Sequence, residues 1–327
     1  MNSFGLIGDP IATSLSPALF NAGYEGKYNY DLIEGADFGA SFKAFEDRYK
    51  GINVTAPFKE QAFARADIYT SYCRKIGATN LLVKTPDGIL ADNSDFTGII
   101  LSIAEAYMPG IVKQFSAKYG DSAHIKVHQY VRQALTMLFS RKPQALVVGC
   151  GGAGRAAAVA AAELGFDTAL MNRTADKAQK IADELPEYDF IVDQLTDFRA
   201  AFKECDLIIY TLPMKLDEID LLTAEDFEGE DRYTWPRPGK VILEANYKTP
   251  AFAGAVLDNA HAGGAQYVPG LKWLLYQAFT GYSRLTGSMP SLEAMERVVS
   301  RSLWSSGKLF FLILVKFANL QSYCENT

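Results

Sequence analysis

The chain has 327 residues, which at ~100–200 residues per domain makes about two domains, each long enough to bury its own core. Hydrophobic residues make up 49% and charged ones 21%, with 20 Phe and 17 Tyr; this excludes a disulfide-stapled miniprotein and a largely disordered chain. The net charge of −6 gives no global positive field, so neither nucleic acid nor a membrane is an expected partner, and an anionic ligand needs a local pocket.

Cys73, Cys150, Cys205 and Cys324 form no CxxC pair and no metal-ligand spacing, which suits a reducing, cytoplasmic setting. The N-terminal stretch is broken by Gly5, Gly8 and Pro10 before an apolar h-region can form, so no signal peptide is expected. The apolar run Leu309–Val315 falls far short of the ~20 residues of a spanning helix. It has neither a clear helix stop nor a polar face, and the residues from 301 to 327 read as an atypical tail.

In chain order, Phe4–Gly8 reads as a strand. Ser16 before Pro17 has the form of an N-cap with proline at the first helical position, opening a helix through Leu19, Phe20 and Tyr24. Tyr28–Ile33 is a second strand, and a helix through Phe38, Phe42 and Phe45 stops at Gly51. Ile52–Thr55 is a third strand, after which Pro57 opens a helix carrying Lys59. Asn80–Val83 and Ile89–Ala91 flank the turn Thr85-Pro86-Asp87-Gly88 as a hairpin, and Asp92-Asn93-Ser94-Asp95 leads into a long helix from about Phe96. The alternation predicts an α/β domain with a largely parallel sheet.

Between about Glu105 and Lys142, Val127, Tyr130, Val131, Ala134, Leu135 and Leu138 share one helical face, which predicts an extra helix. Ala145–Val148 then reads as a buried strand entering a glycine loop, followed by an alanine-rich helix from Arg155 to Leu164 and a strand ending at Met171. Further strands fit Asp206–Thr211 and Lys240–Ala245, and Gly270–Leu285 has the spacing of an amphipathic helix.

The loop Gly149-x-Gly151-x-x-Gly154 stands where a dinucleotide fingerprint belongs: glycines serve the tight turn, the approach of backbone to pyrophosphate, and close helix–sheet packing. About twenty residues on, an NAD site carries an acid; here stand Asn172, Arg173 and Thr174, with Lys177 a turn later. Cations there suit the 2′-phosphate of NADP, although they also fit an ordinary solvated helix start.

Lys59 and Asp95 are the candidate catalytic pair, since an ammonium can stabilise and protonate the alkoxide that hydride addition to a ketone creates, and a carboxylate can hold that ammonium in line. Ser14 and Ser16 project two hydroxyls from one side of an extended segment and suit a carboxylate. His124 and His128 have the spacing of a zinc pair, but Ile125 stands where a zincin carries Glu; no metal site is expected.

Five motifs in order, Ser14-Leu15-Ser16-Pro17, Asn53-Val54-Thr55-Ala56-Pro57-Phe58-Lys59, Gly77-Ala78-Thr79-Asn80, Asp92-Asn93-Ser94-Asp95 and the glycine loop, closely resemble the shikimate dehydrogenase family. The resemblance covers roughly residues 1–100 and 145–285. It implies an N-terminal α/β substrate domain (1–97, with about 271–300 returning to it) and a Rossmann-like NADP domain (98–270, with the extra helical segment at about 105–142). The implied reaction is reversible reduction of 3-dehydroshikimate to shikimate with NADPH. Lys59 and Asp95 would act at the reacting oxygen, Ser14, Ser16 and Tyr247 would hold the carboxylate, and Thr55, Asn80 and Gln277 the ring hydroxyls. Gly149, Gly151, Gly152, Ala153, Gly154 and Arg155 would hold the pyrophosphate, Asn172, Arg173 and Thr174 the 2′-phosphate, and Gly270 would line the nicotinamide site; Lys177 stands where the family often has another basic residue.

The sequence departs from the family at Tyr210-Thr211-Leu212 and at Gly270-Leu271-Lys272-Trp273, both expected near the nicotinamide. An NAD-using quinate/shikimate dehydrogenase and a non-catalytic NADP or shikimate sensor are the alternatives. A monomer or homodimer is expected.

Overall fold

Two six-stranded sheets organise the chain, whose computed structural model describes residues 3–229 and 239–305. The first unit runs β1 (Ser3–Gly8), α1 (Ser16–Tyr24), β2 (Asn29–Glu34), α2 (Phe38–Arg48), β3 (Gly51–Val54), α3 (Lys59–Phe63), β4 (Ile68–Tyr69), α4 (Ser71–Ile76), β5 (Leu81–Thr85) and β6 (Gly88–Asp92). Its strand order is β2-β1-β3-β5-β6-β4. The sheet is more mixed than expected: β1 pairs in parallel with β2 and β3, but β5 runs antiparallel to both β3 and β6. The tight turn of the hairpin accounts for the antiparallel β5–β6 pair.

Strand β3 is buried along its whole length, as a central strand should be. On one face α2, capped by Asp37, buries Phe42 and Phe45 among Ile52, Val54 and Phe58. Helix α3 starts at Lys59 rather than at Pro57. The short elements β4 and α4 escaped the periodicity reading because neither is long enough to show a repeat.

Helix α5 (Ser94–Tyr107) connects the units. Its cap is Asn93, whose carboxamide oxygen accepts the Phe96 N–H at 3.3 Å while its amide nitrogen donates to the Ala78 carbonyl at 2.8 Å. The expected single extra helix is two, α6 (Ile111–Tyr119) and α7 (Ala123–Leu138), separated by Gly120 at φ 53°. Val127, Val131 and Leu135 are buried, whereas Tyr130 is 49% exposed, so the packed stripe is narrower than the predicted face.

The second sheet is wholly parallel, in the order β12-β11-β10-β7-β8-β9. It comprises β7 (Gln144–Val148), α8 (Gly152–Glu163), β8 (Asp167–Met171), α9 (Ala175–Glu184), β9 (Ile191–Asp193), α10 (Phe198–Glu204), β10 (Leu207–Tyr210), β11 (Val241–Glu244), α11 (Ala255–Ala262) and β12 (Gln266–Val268). This doubly wound, Rossmann-like order reverses direction between β7 and β10, and the crevice beyond the strand ends at such a reversal is where ligands bind.

Helices α12 (Gly270–Thr286) and α13 (Leu292–Ser305) then return to the first unit, α12 along α5 and α13 against α1. The α5–α12 crossing is close: a Cβ on Gly98 would lie 2.7 Å from the Gln277 backbone nitrogen. Helix α13 extends to Ser305, past residue 300, whereas the apolar run Leu309–Val315 lies outside the described residues. Among the described residues no single helix is long and apolar enough to cross a membrane.

Candidate active site

A cleft of about 750 Å³ opens between the two sheets. Lys59, at the start of α3, and Asp95, in the first turn of α5, meet in its wall: Lys59 Nζ donates to Asp95 Oδ2 at 2.5 Å, with side chains only 16% and 10% exposed. The Lys59 stem lies against Gly152, where an added Cβ would come 3.3 Å from its Cδ. The ammonium therefore sits where the first unit touches the glycine loop of the second.

Around it, Asn80 donates to Ser94 Oγ and to Gln277 Oε1, both at 3.0 Å, while its own oxygen accepts the Ser94 N–H at 2.7 Å. Asn53, buried beside them, donates to the Asn80 carbonyl and accepts the Tyr30 hydroxyl at 2.7 Å. Burial raises the Tyr30 phenol well above its ordinary value, so it remains a neutral donor. Thr55 lines the same wall. The support given by Tyr30, Asn53 and Ser94 has no short-range sequence signal, since their partners are distant in the chain.

Ser14 and Ser16 line the cleft together, but Ser16 is not the helix cap expected from its place before Pro17. Leu15 is the cap residue, without a side-chain bond; Ser14 Oγ accepts the Ser16 N–H at 3.2 Å and donates to Ser16 Oγ at 3.1 Å. Capping thus shifts upstream and leaves both hydroxyls on the cleft wall. Glu34 holds the preceding loop by accepting the N–H groups of Ile11 and Ala12 at 2.7 and 3.2 Å, and the Tyr282 hydroxyl donates to the Ser16 carbonyl at 2.9 Å. Tyr247 reaches this wall from the second unit, its phenol raised by burial and opposed by the Leu15 N–H that faces it.

The glycine loop follows β7. Gly149 has φ 103°, a left-handed conformation, and a Cβ on Gly154 would lie 1.8 Å from the Gly149 carbonyl oxygen. Nothing lies within 4 Å of a Cβ built on Gly151, which leaves the start of α8 open to an anion. Gly152 and Ala153 line the same opening. Thr211 Oγ1 ties the loop by donating to the carbonyls of Val148 and Gly149. Asn172 Oδ1 accepts the Cys150 N–H at 3.1 Å, so its amide shapes the loop. Arg173, Thr174 and Lys177 are exposed along the cleft, and neither cation makes an ion pair among the described residues. Burial pushes the Cys150 thiol up to about 12, which removes it as a nucleophile.

Two expectations need correction. The Arg155 guanidinium does not line the cleft; it donates to the Ile76 carbonyl and pairs with Glu184 at 2.7 Å, because the C-terminal ends of α4 and α9 each bring it an acceptor. Tyr210 is fully buried beneath the sheet against Phe252, with its hydroxyl donating to the Met214 carbonyl at 2.7 Å, so it does not reach the cleft. Gly270 and Trp273 do line it, and a Cβ on Gly270 would lie 2.4 Å from the Ala245 carbonyl. His124 and His128 are held neutral by burial, and among the described residues no three metal-ligating side chains converge.

Residues 6–82 match the family model described as shikimate dehydrogenase substrate binding domain, and residues 133–221 the one described as shikimate / quinate 5-dehydrogenase. The chain is 30% identical over 302 residues to the shikimate dehydrogenase (NADP(+)) of Haloarcula marismortui, covering 90% of this chain and 97% of the relative. It is 29% identical over 314 residues to the protein of that name from Acidiphilium cryptum, covering 91% and 96%. The crystal structure of Mycobacterium tuberculosis shikimate dehydrogenase aligns with a TM-score of 0.67 at 25% identity, covering 92% of this chain and 99% of that one. The Thermus thermophilus enzyme solved with NADP(H) and shikimate shares the fold, with a TM-score of 0.67 at 24% identity over 93% of this chain and all of that one.

Proposed function

The chain belongs to the shikimate dehydrogenase family, and on that footing we propose that it catalyses the reversible, NADP-dependent reduction of 3-dehydroshikimate to shikimate. The observation that carries this reading is the Lys59–Asp95 pair standing against the glycine loop. When bound, the dinucleotide supplies or accepts the hydride. Lys59 stabilises the oxyanion that forms at the reduced carbonyl and delivers the proton to it; Asp95 holds that ammonium and a substrate hydroxyl in line. Ser14, Ser16 and Tyr247 receive the carboxylate, while Thr55, Asn80 and Gln277 fix the ring through its hydroxyls.

The second sheet fits the cofactor on three counts: the open approach over Gly151, the free start of α8, and the exposed Arg173 and Lys177 near Thr174. In this reading the first sheet, with α12 and α13, is the substrate domain and the second is the cofactor domain. A cytoplasmic setting accords with the buried free thiols of Cys73, Cys150 and Cys205. The decisive experiment mixes the purified protein with shikimate and either NADP⁺ or NAD⁺ and follows the reduced-nicotinamide absorbance, with quinate as a second substrate. Signal with shikimate and NADP⁺ alone is expected; silence with every combination overturns the enzymatic reading.

A further inference from the structure

Among the described residues, four cationic side chains line the cleft: Lys59, Arg173, Lys177 and Lys248. Lys59 is spent on Asp95, and the next two stand by the glycine loop. Lys248 is different, because it lies at the end of the cleft that holds Ser14 and Ser16 and makes no ion pair with any described carboxylate. Its partner is neutral and comes from the other unit: Nζ donates to Thr13 Oγ1 at 2.6 Å across 235 residues of chain.

The placement is built from both sides. After β11, Asn246 Oδ1 accepts the N–H groups of Lys248 and Thr249 at 3.1 and 3.2 Å, and its amide nitrogen donates to the Pro213 carbonyl and to Thr249 Oγ1. On the opposite side, the Glu34 carboxylate fixes the loop that carries Thr13. Tyr247 faces the Leu15 N–H and Lys248 reaches Thr13, so this dipeptide grips the residues on either side of Ser14.

We propose that Lys248 is the counter-charge for the substrate carboxylate, delivered from the cofactor domain. Without substrate its ammonium rests on the Thr13 hydroxyl; with substrate it transfers to the carboxylate seated on Ser14 and Ser16. The exchange replaces a bond to a neutral oxygen by one to an anion, which is the stronger of the two. An anionic substrate thereby links the two domains across the mouth of the cleft, a preference that hydroxyl groups alone supply weakly. The inference rests on the shikimate reading and adds a residue to it.

The test measures shikimate affinity by calorimetry and KM and kcat in parallel, for the wild-type protein, Lys248→Met and Thr13→Val, at low and high salt. Lys248→Met is expected to weaken shikimate roughly three- to ten-fold with a much smaller change in kcat, and to lose most of the salt dependence that an exposed charge contact gives the wild type. Thr13→Val, which only frees the ammonium, should leave affinity equal or higher. With methyl shikimate, which lacks the anion, wild type and Lys248→Met should bind alike. Equal shikimate affinity and salt dependence in wild type and Lys248→Met would overturn the assignment, as would a loss in Thr13→Val as large as that in Lys248→Met. Wild-type binding without turnover would count against the enzymatic reading alone; no wild-type binding would overturn both.

Discussion

Lys59 and Asp95 come from different elements, 36 residues apart, and close to 2.5 Å in a wall where both are largely shielded from water. A charge pair so placed fixes the direction in which the ammonium points. Lys59→Ala is expected to lower kcat by ~10²–10⁴-fold, the usual worth of a positioned proton donor. Asp95→Asn should lower kcat and raise the shikimate KM together, because it frees the ammonium and removes an acceptor for a substrate hydroxyl. Steady-state kinetics at saturating NADP⁺ checks both; an unchanged kcat in Lys59→Ala would remove the lysine from the reaction.

At the far end of the cleft, Arg173 and Lys177 point no charge at any described carboxylate. If they meet the 2′-phosphate, replacing both by Ala raises KM for NADP⁺ roughly ten-fold per cation lost while KM for NAD⁺ moves less than about two-fold. Equal effects on the two dinucleotides would assign them to the surface.

Gly154 offers a steric test, since its Cβ would fall 1.8 Å from the Gly149 carbonyl oxygen, which is backbone and cannot swing aside. Gly154→Ala is expected to cost about 1–3 kcal/mol of stability, as overpacking does, and to abolish dinucleotide binding. Thermal unfolding and cofactor fluorescence titration read the two effects separately. Gly151→Ala, with open space around it, should leave stability unchanged and weaken only the cofactor.

His128 gives the fold a pH dependence. Its ring packs against Tyr72 and Phe96, Nε2 has no partner, and burial, opposed by the facing Glu163 carbonyl, lowers its pKa from 6.5. Above 6.5 the folded and unfolded forms are both neutral, so the residue adds no slope. Below 6.5 the unfolded chain takes up the proton first, so stability falls with pH until the lower folded value is reached. Denaturant midpoints at pH 7.5 and 5.5 should drop less in His128→Phe than in the wild type; His124, lowered for the same reason, accounts for part of the remainder.

How far the sequence could be read depended on the range of the interactions. Elements with a long repeat, such as α5, α8 and α12, and the strand-to-glycine-loop passage at β7, were legible because their signals are local. The cap at Asn93 and the Ser14–Ser16 arrangement were less so, because competing hydrogen bonds at one to three residues' distance decide them. Arg155 and Tyr210 were placed wrongly for a different reason. The Arg155 side chain is claimed by the Ile76 carbonyl, 79 residues away in the chain, and the Tyr210 ring by the buried face it shares with Phe252, and no spacing rule encodes either. Asn53 and Ser94 stand inside recognisable motifs, but the bonds by which they and Tyr30 brace the cleft wall join distant parts of the chain and no local pattern announces them.

The helical hairpin α6–α7 packs against α5 without lining the cleft, and seats Val127, Val131 and Leu135 with no exposed surface. Each such side chain is worth roughly 1.5–3 kcal/mol when buried. An evolutionary history in which this segment was gained or lost on its own therefore carries a burden: a descendant without it would present a greasy back to water along α5 and would need compensating polar changes there. The hairpin can drift freely in its outward residues, such as Met137 at 82% exposure, while its inward ones are bound to change in step with the helix that also carries Asp95.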